Sequence, residues 1–243
     1  MDKATAHLER WKRQMSRIEP EVLRLYQWRK WFRRIREMVD ANPRINKWHP
    51  LYDWMLECYV TSASTAIRRL MDPGSPQPSG RQRQRFFSLE KLVQNINKHS
   101  GDISRSWFVG RYSYDKRYIQ AGYADSDYNH FAGVGGDHPL MEDLPELESA
   151  RRAAEPIARM VDKVIAHLDE KPPSQMPMLN DLDKAIDAIG ALFNVLYCFV
   201  ELSQKLKLEA GEWFDWKWLF QEPWMIPVEA PRLANPVTSS HST

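Results

Sequence analysis

The sequence predicts an all-α fold, a bundle of four or more long helices with additional short helices. Apolar residues recur at spacings of three and four along several segments, which is the period of a core-facing helix. No segment alternates apolar and polar residues in the way that is typical of a half-buried strand. Proline, glycine and serine are concentrated between these segments, above all in residues 72–80, where they predict an exposed loop.

The first two predicted helices meet at a proline. A short amphipathic helix is expected from Ala4 to Ile18. Pro20 then stands where a second helix can begin, because a proline loses no hydrogen bond in the first turn. This second helix ends before Pro43, since the residue preceding a proline is pushed out of the α region. Its predicted buried residues are Val22, Leu25, Trp28, Phe32, Ile35 and Val39.

The middle of the chain predicts two further helices and a less regular segment. Pro50 opens a helix whose apolar side comprises Leu51, Trp54, Met55, Cys58, Ala66, Ile67 and Leu70. Ser88 is expected to cap a short helix that buries Leu89, Leu92, Val93 and Ile96. Residues 101–137 predict an ordered connector with one helical turn near residues 115–121.

Two long helices are predicted in the second half. The first runs from Leu140 or Asp143 to Asp169 and is expected to kink at Pro156, which removes one ladder hydrogen bond. The second begins at an Asn180 cap, and its two adjacent apolar stripes make the wide face that is typical of a central helix. The stripes are Leu182, Ile186, Ile189, Phe193, Leu196 and Val200, and Ala185, Leu192, Phe199 and Leu206.

The predicted domain organisation is one main domain with two flanking segments. Residues 1–19 form an N-terminal helical extension, residues 20–226 the helical domain, and residues 227–243 a tail. The tail is rich in proline, serine and threonine and has little to bury, which predicts disorder.

Composition argues against membrane and secretory classes. No window contains the run of about 18 apolar residues that a membrane span requires. Residues 1–13 are charged throughout, without the apolar stretch of a secretory signal. Cys58 and Cys198 are the only cysteines, and both are expected to be buried thiols. This usage predicts a reducing compartment and a cytoplasmic protein.

Charge is divided unevenly along the chain. Residues 1–120 carry 24 Lys and Arg against 12 Asp and Glu, whereas residues 121–243 carry 10 against 20. Such a division lets the halves attract each other across a dimer, or leaves a basic face for an anionic partner. The alternative is a single folded domain with two oppositely charged faces.

Basic and aromatic residues are interleaved in residues 28–36. Arg29, Arg33 and Arg36 lie on one face of the predicted helix, and Arg68 and Arg69 follow in the next one. Cations beside aromatic rings suit phosphate contact and base stacking, so these five arginines are candidate nucleic-acid-binding residues. The alternative is an amphipathic helix whose arginine stems cover the edge of the core.

A loose group of possible metal ligands comprises Asp125, Asp127, His130, Asp137 and His138. Acidic residues and histidines in an irregular loop more often cap turns than bind a metal. The sequence therefore predicts no metal and no cofactor.

The segment Ala158–Asp169 carries the pattern Asp-Lys-x-x-Ala-His-x-Asp, which resembles the HEPN superfamily of helical bundles. Further motifs in the same order resemble its abortive-infection, Abi-U-type branch. They are residues 31–33 with 41–43, 66–72, 181–187, and 214–216 with 222–224. The resemblance covers about residues 25–225.

The resemblance implies a HEPN-like bundle, often a homodimer, in a bacterial or phage-defence protein of abortive-infection or toxin type. Many such proteins are metal-independent endoribonucleases, so RNA and a cognate antitoxin protein are the implied partners. The implied catalytic residue is His167, which would act as a general base or acid on RNA. Their spacing to His167 makes Lys163 the residue expected to face phosphate in place of the motif's arginine, and Asp162 or Asp169 the carboxylate expected to orient the imidazole.

One position departs from the family motif, in which four to six residues separate an arginine from the histidine that follows it. The corresponding positions hold Asp162, Val161 and Met160. Arg159 lies eight residues away, about 12 Å along a helix, which leaves Lys163 as the nearest cation. Two other interpretations remain open: a catalytically silent helical module that binds a protein or nucleic acid, and an antitoxin-like regulatory dimer. His167 would then be a helix-end histidine bonded to a nearby carboxylate or carbonyl.

Overall fold

The computed structural model describes residues 2–41, 50–74, 87–114, 121–166, 175–201 and Leu208. These residues form seven α-helices and no strand, which confirms the all-α prediction. The helices are α1 (Lys3–Ala41), α2 (Pro50–Leu70), α3 (Leu89–Lys98), α4 (Arg105–Tyr114), α5 (Ala121–Ala132), α6 (Pro145–Met160) and α7 (Leu179–Glu201). All of them belong to one compact unit, residues 1–210. The predicted tail, residues 227–243, lies outside the described residues.

The central helix is α7, which packs against α1, α2 and α6. Its wide apolar face is confirmed, because every residue of the longer predicted stripe is buried. The predicted Asn180 cap is wrong, since the helix begins at Leu179. The Asp181 carboxylate accepts a hydrogen bond from the backbone N–H of Met178 at 3.0 Å. That bond and the nearby Lys184 ammonium lower the pKa of Asp181.

Helix α1 runs without a break through Pro20, so the prediction that a separate helix begins there is wrong. An internal proline costs about 3 kcal/mol in a helix. Pro20 is exposed, so water can solvate the carbonyl that loses its partner. The apolar stripe continues across it, and burial of that stripe against α7, α2 and α3 outweighs the local cost. The buried residues around the proline are Leu8, Trp11, Met15, Ile18, Val22 and Leu25.

The short helix α3 matches its prediction. The Ser88 hydroxyl accepts a hydrogen bond from the backbone N–H of Lys91 at 3.1 Å, as an N-cap does. The four predicted apolar residues are fully buried. This helix also buries Glu90, which the apolar pattern did not reveal.

Residues 101–137 contain two helices, α4 and α5, so the predicted irregular connector is wrong. Neither helix has a strong apolar stripe, and an aromatic cluster of Phe108, Tyr128 and Phe131 against Phe199 of α7 holds them in place. The Tyr128 hydroxyl donates to the Ile103 carbonyl at 3.0 Å. Tertiary packing therefore stabilises helices that periodicity alone does not predict. The predicted turn at residues 115–121 lies largely outside the described residues.

The helix predicted from Leu140 or Asp143 to Asp169 begins later in the structure and changes its type of turn near its end. Helix α6 begins at Pro145 and ends at Met160, and Val161–Ile165 form a wider π-helical turn. The backbone N–H of Ala166 donates to the Val161 carbonyl at 2.8 Å, which closes that turn. Residues 167–174 lie outside the described residues.

Helix α2 buries only its second half. Ala66, Ile67 and Leu70 are buried as predicted, whereas Leu51 and Trp54 are more than half exposed. The prediction of two buried thiols is also wrong, because Cys58 is exposed and Cys198 is half-buried. None of the described helices has both the length and the apolar run that a membrane crossing requires.

Gly190 of α7 faces the Tyr26 side chain of α1. A Cβ built on Gly190 would overlap the Tyr26 Oη and would lie 2.9 Å from the Leu208 Cδ1. We expect Gly190→Ala to lower the free energy of unfolding by about 1–3 kcal/mol, because the added methyl overpacks the crossing. Urea denaturation measures this change.

Gly110 of α4 provides the matched control, because a Cβ built there meets nothing within 4 Å. Gly110→Ala is expected to leave stability unchanged or to raise it by up to about 1 kcal/mol through helix propensity. Equal destabilisation by both substitutions would contradict the proposed crossing.

Candidate functional site

The π-helical turn presents two of the predicted site residues to solvent. Asp162 and Lys163 are both exposed, whereas Val161 is buried beneath them. A π turn is rare and is frequently found at functional sites, because it costs backbone energy that ordinary helices avoid. His167 lies outside the described residues, one residue beyond Ala166 in the chain. Its proximity to Asp162 and Lys163 therefore stays a prediction.

An arginine from a different helix reaches this turn. The Arg68 Nε lies 3.1 Å from the Asp162 Oδ1 and 3.3 Å from its Oδ2. Its Nη1 lies 3.3 Å from the Asp72 Oδ1. Burial lowers the pKa of Arg68, but the Asp162 and Asp72 carboxylates more than offset this effect, so the pKa lies above its ordinary value. The guanidinium is thus a fixed positive charge held beside the predicted catalytic segment.

The neighbouring arginine points elsewhere. The Arg69 Nη2 lies 2.9 Å from the Glu21 Oε2 of α1, and its side chain is more than half exposed. The two arginines of the predicted pair therefore have different partners. Of the two, Arg68 is the one that contacts the π turn.

Two arginines of the predicted basic helix connect α1 to α7. The Arg29 Nη1 lies 2.6 Å from the Asp187 Oδ1, and its guanidinium lies over the Tyr26 ring at 4.7 Å. The Arg29 side chain is only 9% exposed, so the guanidinium is not presented to solvent. Arg33 Nη2 donates to the Asp183 Oδ2 at 2.8 Å. That hydrogen bond raises the pKa of Arg33.

Arg36 is the third arginine, after Arg29 and Arg33, on the helix face that is predicted to bind nucleic acid. Its Nε lies 3.8 Å from the Asp40 Oδ2, and both side chains are largely exposed. An exposed pair one turn apart on a helix is weak. The guanidinium of Arg36 thus stays accessible to an anion, as do those of Arg33 and Arg69, which are also more than half exposed.

In the loose acidic and histidine group, the Asp137 Oδ2 lies 3.6 Å from the His138 Nε2, and other members contact residues outside the group. Asp125 pairs with Arg105 at 2.8 Å, and His130 pairs with Glu146 at 3.3 Å. The His138 Nδ1 lies 3.1 Å from the Ile103 carbonyl oxygen. These residues hold α4, α5 and the start of α6 together.

Two further features near the site residues could not be predicted from the sequence. An open groove of about 600 Å³ lies between α6 and α7, lined by Arg152, Pro156, Asp181, Lys184 and Asp187 among others. Its charges are mixed, so it favours no single ligand class. The second feature is Tyr59, which is buried and stacks on Phe32 with ring centroids 4.4 Å apart. Burial raises the pKa of Tyr59 well above its ordinary value.

Comparisons of the chain with protein-family models, with curated proteins and with solved structures find no match.

Proposed function

We propose that this chain is a HEPN-like protein of a bacterial or phage-defence system that cleaves RNA as a metal-independent endoribonuclease. The observation that carries the proposal is the contact of Arg68 with Asp162. The segment that resembles the family motif has no arginine at the expected spacing. A guanidinium supplied by α2 stands next to that segment instead.

The roles follow from the chemistry of RNA cleavage. His167 removes the proton from the ribose 2′-OH or donates one to the leaving 5′-oxygen. The 2′-oxygen attacks the phosphorus, the bond to the 5′-oxygen breaks, and the products carry a 2′,3′-cyclic phosphate and a 5′-OH. Arg68 and Lys163 stabilise the negative charge that develops on the phosphoryl oxygens. In the free protein Asp162 holds Arg68 in position.

The remaining cations provide the electrostatic part of RNA binding. Arg33, Arg36 and Arg69 are more than half exposed, and their ion pairs with other described residues lie at the surface. Phosphates displace such partners readily, because exposed ion pairs contribute little free energy. A homodimer and a cognate antitoxin protein complete the proposal, and they are carried by the family resemblance. A cytoplasmic location is also part of it, and it rests on the composition of the sequence.

We expect Arg68→Met to lower the rate of RNA cleavage about 10²- to 10³-fold, the usual effect of removing one donor to a developing oxyanion. Arg69→Met is the matched control: it removes the same charge one residue later, from a side chain that contacts Glu21 instead. Its effect is expected to be only a few-fold, through weaker RNA binding. Initial rates on a labelled RNA in EDTA measure both variants.

Equal rates for the Arg68→Met and Arg69→Met variants would contradict the assignment of Arg68. Melting curves by circular dichroism establish that both variants are folded. Arg68→Lys is expected to retain intermediate activity, because an ammonium keeps the charge but not the planar set of donors.

A second candidate function is a catalytically silent module that binds a protein partner or nucleic acid. It is favoured by the exposed Leu51 and Trp54 on α2, which lie three residues apart and therefore on one face of the helix. An RNA that wild-type protein binds but does not cut would select this candidate.

A further inference from the structure

Three potential metal ligands converge where the start of α1 meets the end of α3. His7 lies on α1, His99 ends α3, and Asp102 lies in the 3₁₀ turn Ser100–Asp102. The backbone N–H of Asp102 donates to the His99 carbonyl at 3.1 Å, so the turn folds the chain back on itself. This turn brings the Asp102 carboxylate to the side of the His99 ring.

The position of His7 is fixed by its own helix. Trp11, one turn further along α1, is fully buried, and its indole Nε1 donates to the Asn95 Oδ1 of α3 at 2.9 Å. This hydrogen bond fixes α1 against α3. The His7 ring consequently lies over the His99 ring, with centroids 3.9 Å apart and planes 22° apart.

The donor atoms are close to the spacing that a metal ion imposes. The His7 Nε2 lies 3.3 Å from the Asp102 Oδ2. One donor atom from each of the three residues lies within 4.8 Å of the other two. Ligands about 2.0–2.1 Å from a tetrahedral Zn²⁺ ion are about 3.3 Å from one another. The pair of His7 and Asp102 already matches this distance. The His99 ring is stacked on His7, so it has to turn out of that stack for one of its nitrogens to bind the same ion.

The donor types select the class of metal. Imidazole nitrogen suits Zn²⁺ and other late transition ions, whereas Mg²⁺ and Ca²⁺ require mostly oxygen ligands. Only one carboxylate takes part, and the cationic Arg10 and Lys98 lie near His99. These charges disfavour any cation to a similar degree, so the preference for a transition metal comes from the two imidazole donors. His7 and Asp102 are partly exposed, which leaves a path for the ion and for water.

We propose that His7, His99 and Asp102 bind one divalent transition-metal ion, with Zn²⁺ preferred over Mg²⁺ and Ca²⁺, and leave a coordination position for water. The ion connects the start of α1 to the end of α3. The site is independent of the proposed ribonuclease chemistry, which uses none of these three side chains.

Titration of the tag-free full chain with Zn²⁺ by isothermal calorimetry tests the site. The expected result is one ion per chain, and a melting temperature that rises by roughly 5 °C when Zn²⁺ is in large excess over its dissociation constant. His99→Ala and Asp102→Asn are each expected to weaken binding at least about 10- to 100-fold. Co²⁺ in place of Zn²⁺ is expected to give a visible absorption band that is lost in the same variants.

The matched control is His130→Ala, which removes another partly exposed histidine that faces a carboxylate. It is expected to leave Zn²⁺ affinity unchanged. Asp102→Asn keeps the size of the side chain, so a loss of binding in that folded variant supports the site even where a histidine variant is unstable. Absence of stoichiometric binding by wild-type protein, or equal weakening by His130→Ala, would overturn the proposal.

Discussion

Replacement of Arg151 by alanine is expected to lower the free energy of unfolding by about 2–4 kcal/mol. The Glu90 carboxylate on α3 is only 4% exposed. It receives two hydrogen bonds from Arg151 of α6, from Nε at 2.7 Å and from Nη2 at 2.8 Å. Removing the guanidinium leaves a buried carboxylate without its charged partner, which typically costs about 3–5 kcal/mol. Because Arg151 itself is 44% exposed, water entering the gap reduces that cost.

Arg152 supplies the control for this prediction. It is the next residue on α6, forms a surface ion pair with Glu148, and is 78% exposed. Arg152→Ala is expected to change stability by no more than about 0.5 kcal/mol. The double substitution of Glu90 and Arg151 by leucine is expected to recover most of the loss, because no unpaired buried charge remains. Glu142 also loses its pairing with Arg151, but it is 43% exposed and stays solvated. Urea denaturation of the four proteins measures these differences, and equal effects of the two alanine variants would refute the prediction.

The largest functional effect is expected at His167, whose replacement by alanine should lower RNA cleavage about 10²- to 10⁴-fold. The reason is loss of proton transfer, so the helical signal and the melting temperature should stay near those of wild type. If His167 is only a structural histidine, the alanine variant should instead lose about 1–3 kcal/mol of stability through an unpaired partner. Its folded fraction would then cleave RNA normally.

Two substitutions of Lys163 distinguish the effect of its positive charge from the effect of its shape. Lys163→Arg keeps the positive charge and is expected to retain cleavage or to raise it, whereas Lys163→Met should lose it. Lys163 is exposed, so neither change is expected to alter folding. Cleavage that falls equally in both variants would indicate a role other than charge.

Much of the helical framework could be predicted from sequence because it depends on local periodicity. The sequence predicts the stripes of α3 and α7 correctly, and all of their residues are buried except Leu206, which lies outside the described residues. The errors at α1 and at α4 and α5 share one physical cause, which is packing between distant segments. A continuous core carries α1 through Pro20, and Phe199 of α7 stabilises the weakly amphipathic α4 and α5.

The candidate site was harder to predict because its contacts join residues far apart in the chain. Arg68 and Asp162 are 94 residues apart. The sequence suggests RNA binding for Arg68 and catalysis for Asp162, and it does not suggest that the two are in contact. Arg29 was predicted to contact phosphate, yet its guanidinium is buried against Asp187 on a helix 158 residues away. No sequence spacing reports such pairs. The convergence of His7 with His99 and Asp102 was missed for the same reason.

The most direct test of the proposed function is the chemistry of the RNA ends that the purified protein produces in EDTA. The account predicts fragments with 2′,3′-cyclic phosphate and 5′-OH ends from wild-type protein, and their absence when folded Arg68→Met or His167→Ala protein is used. RNA left intact by wild-type protein, or the same ends at the same rate from both variants, would contradict it.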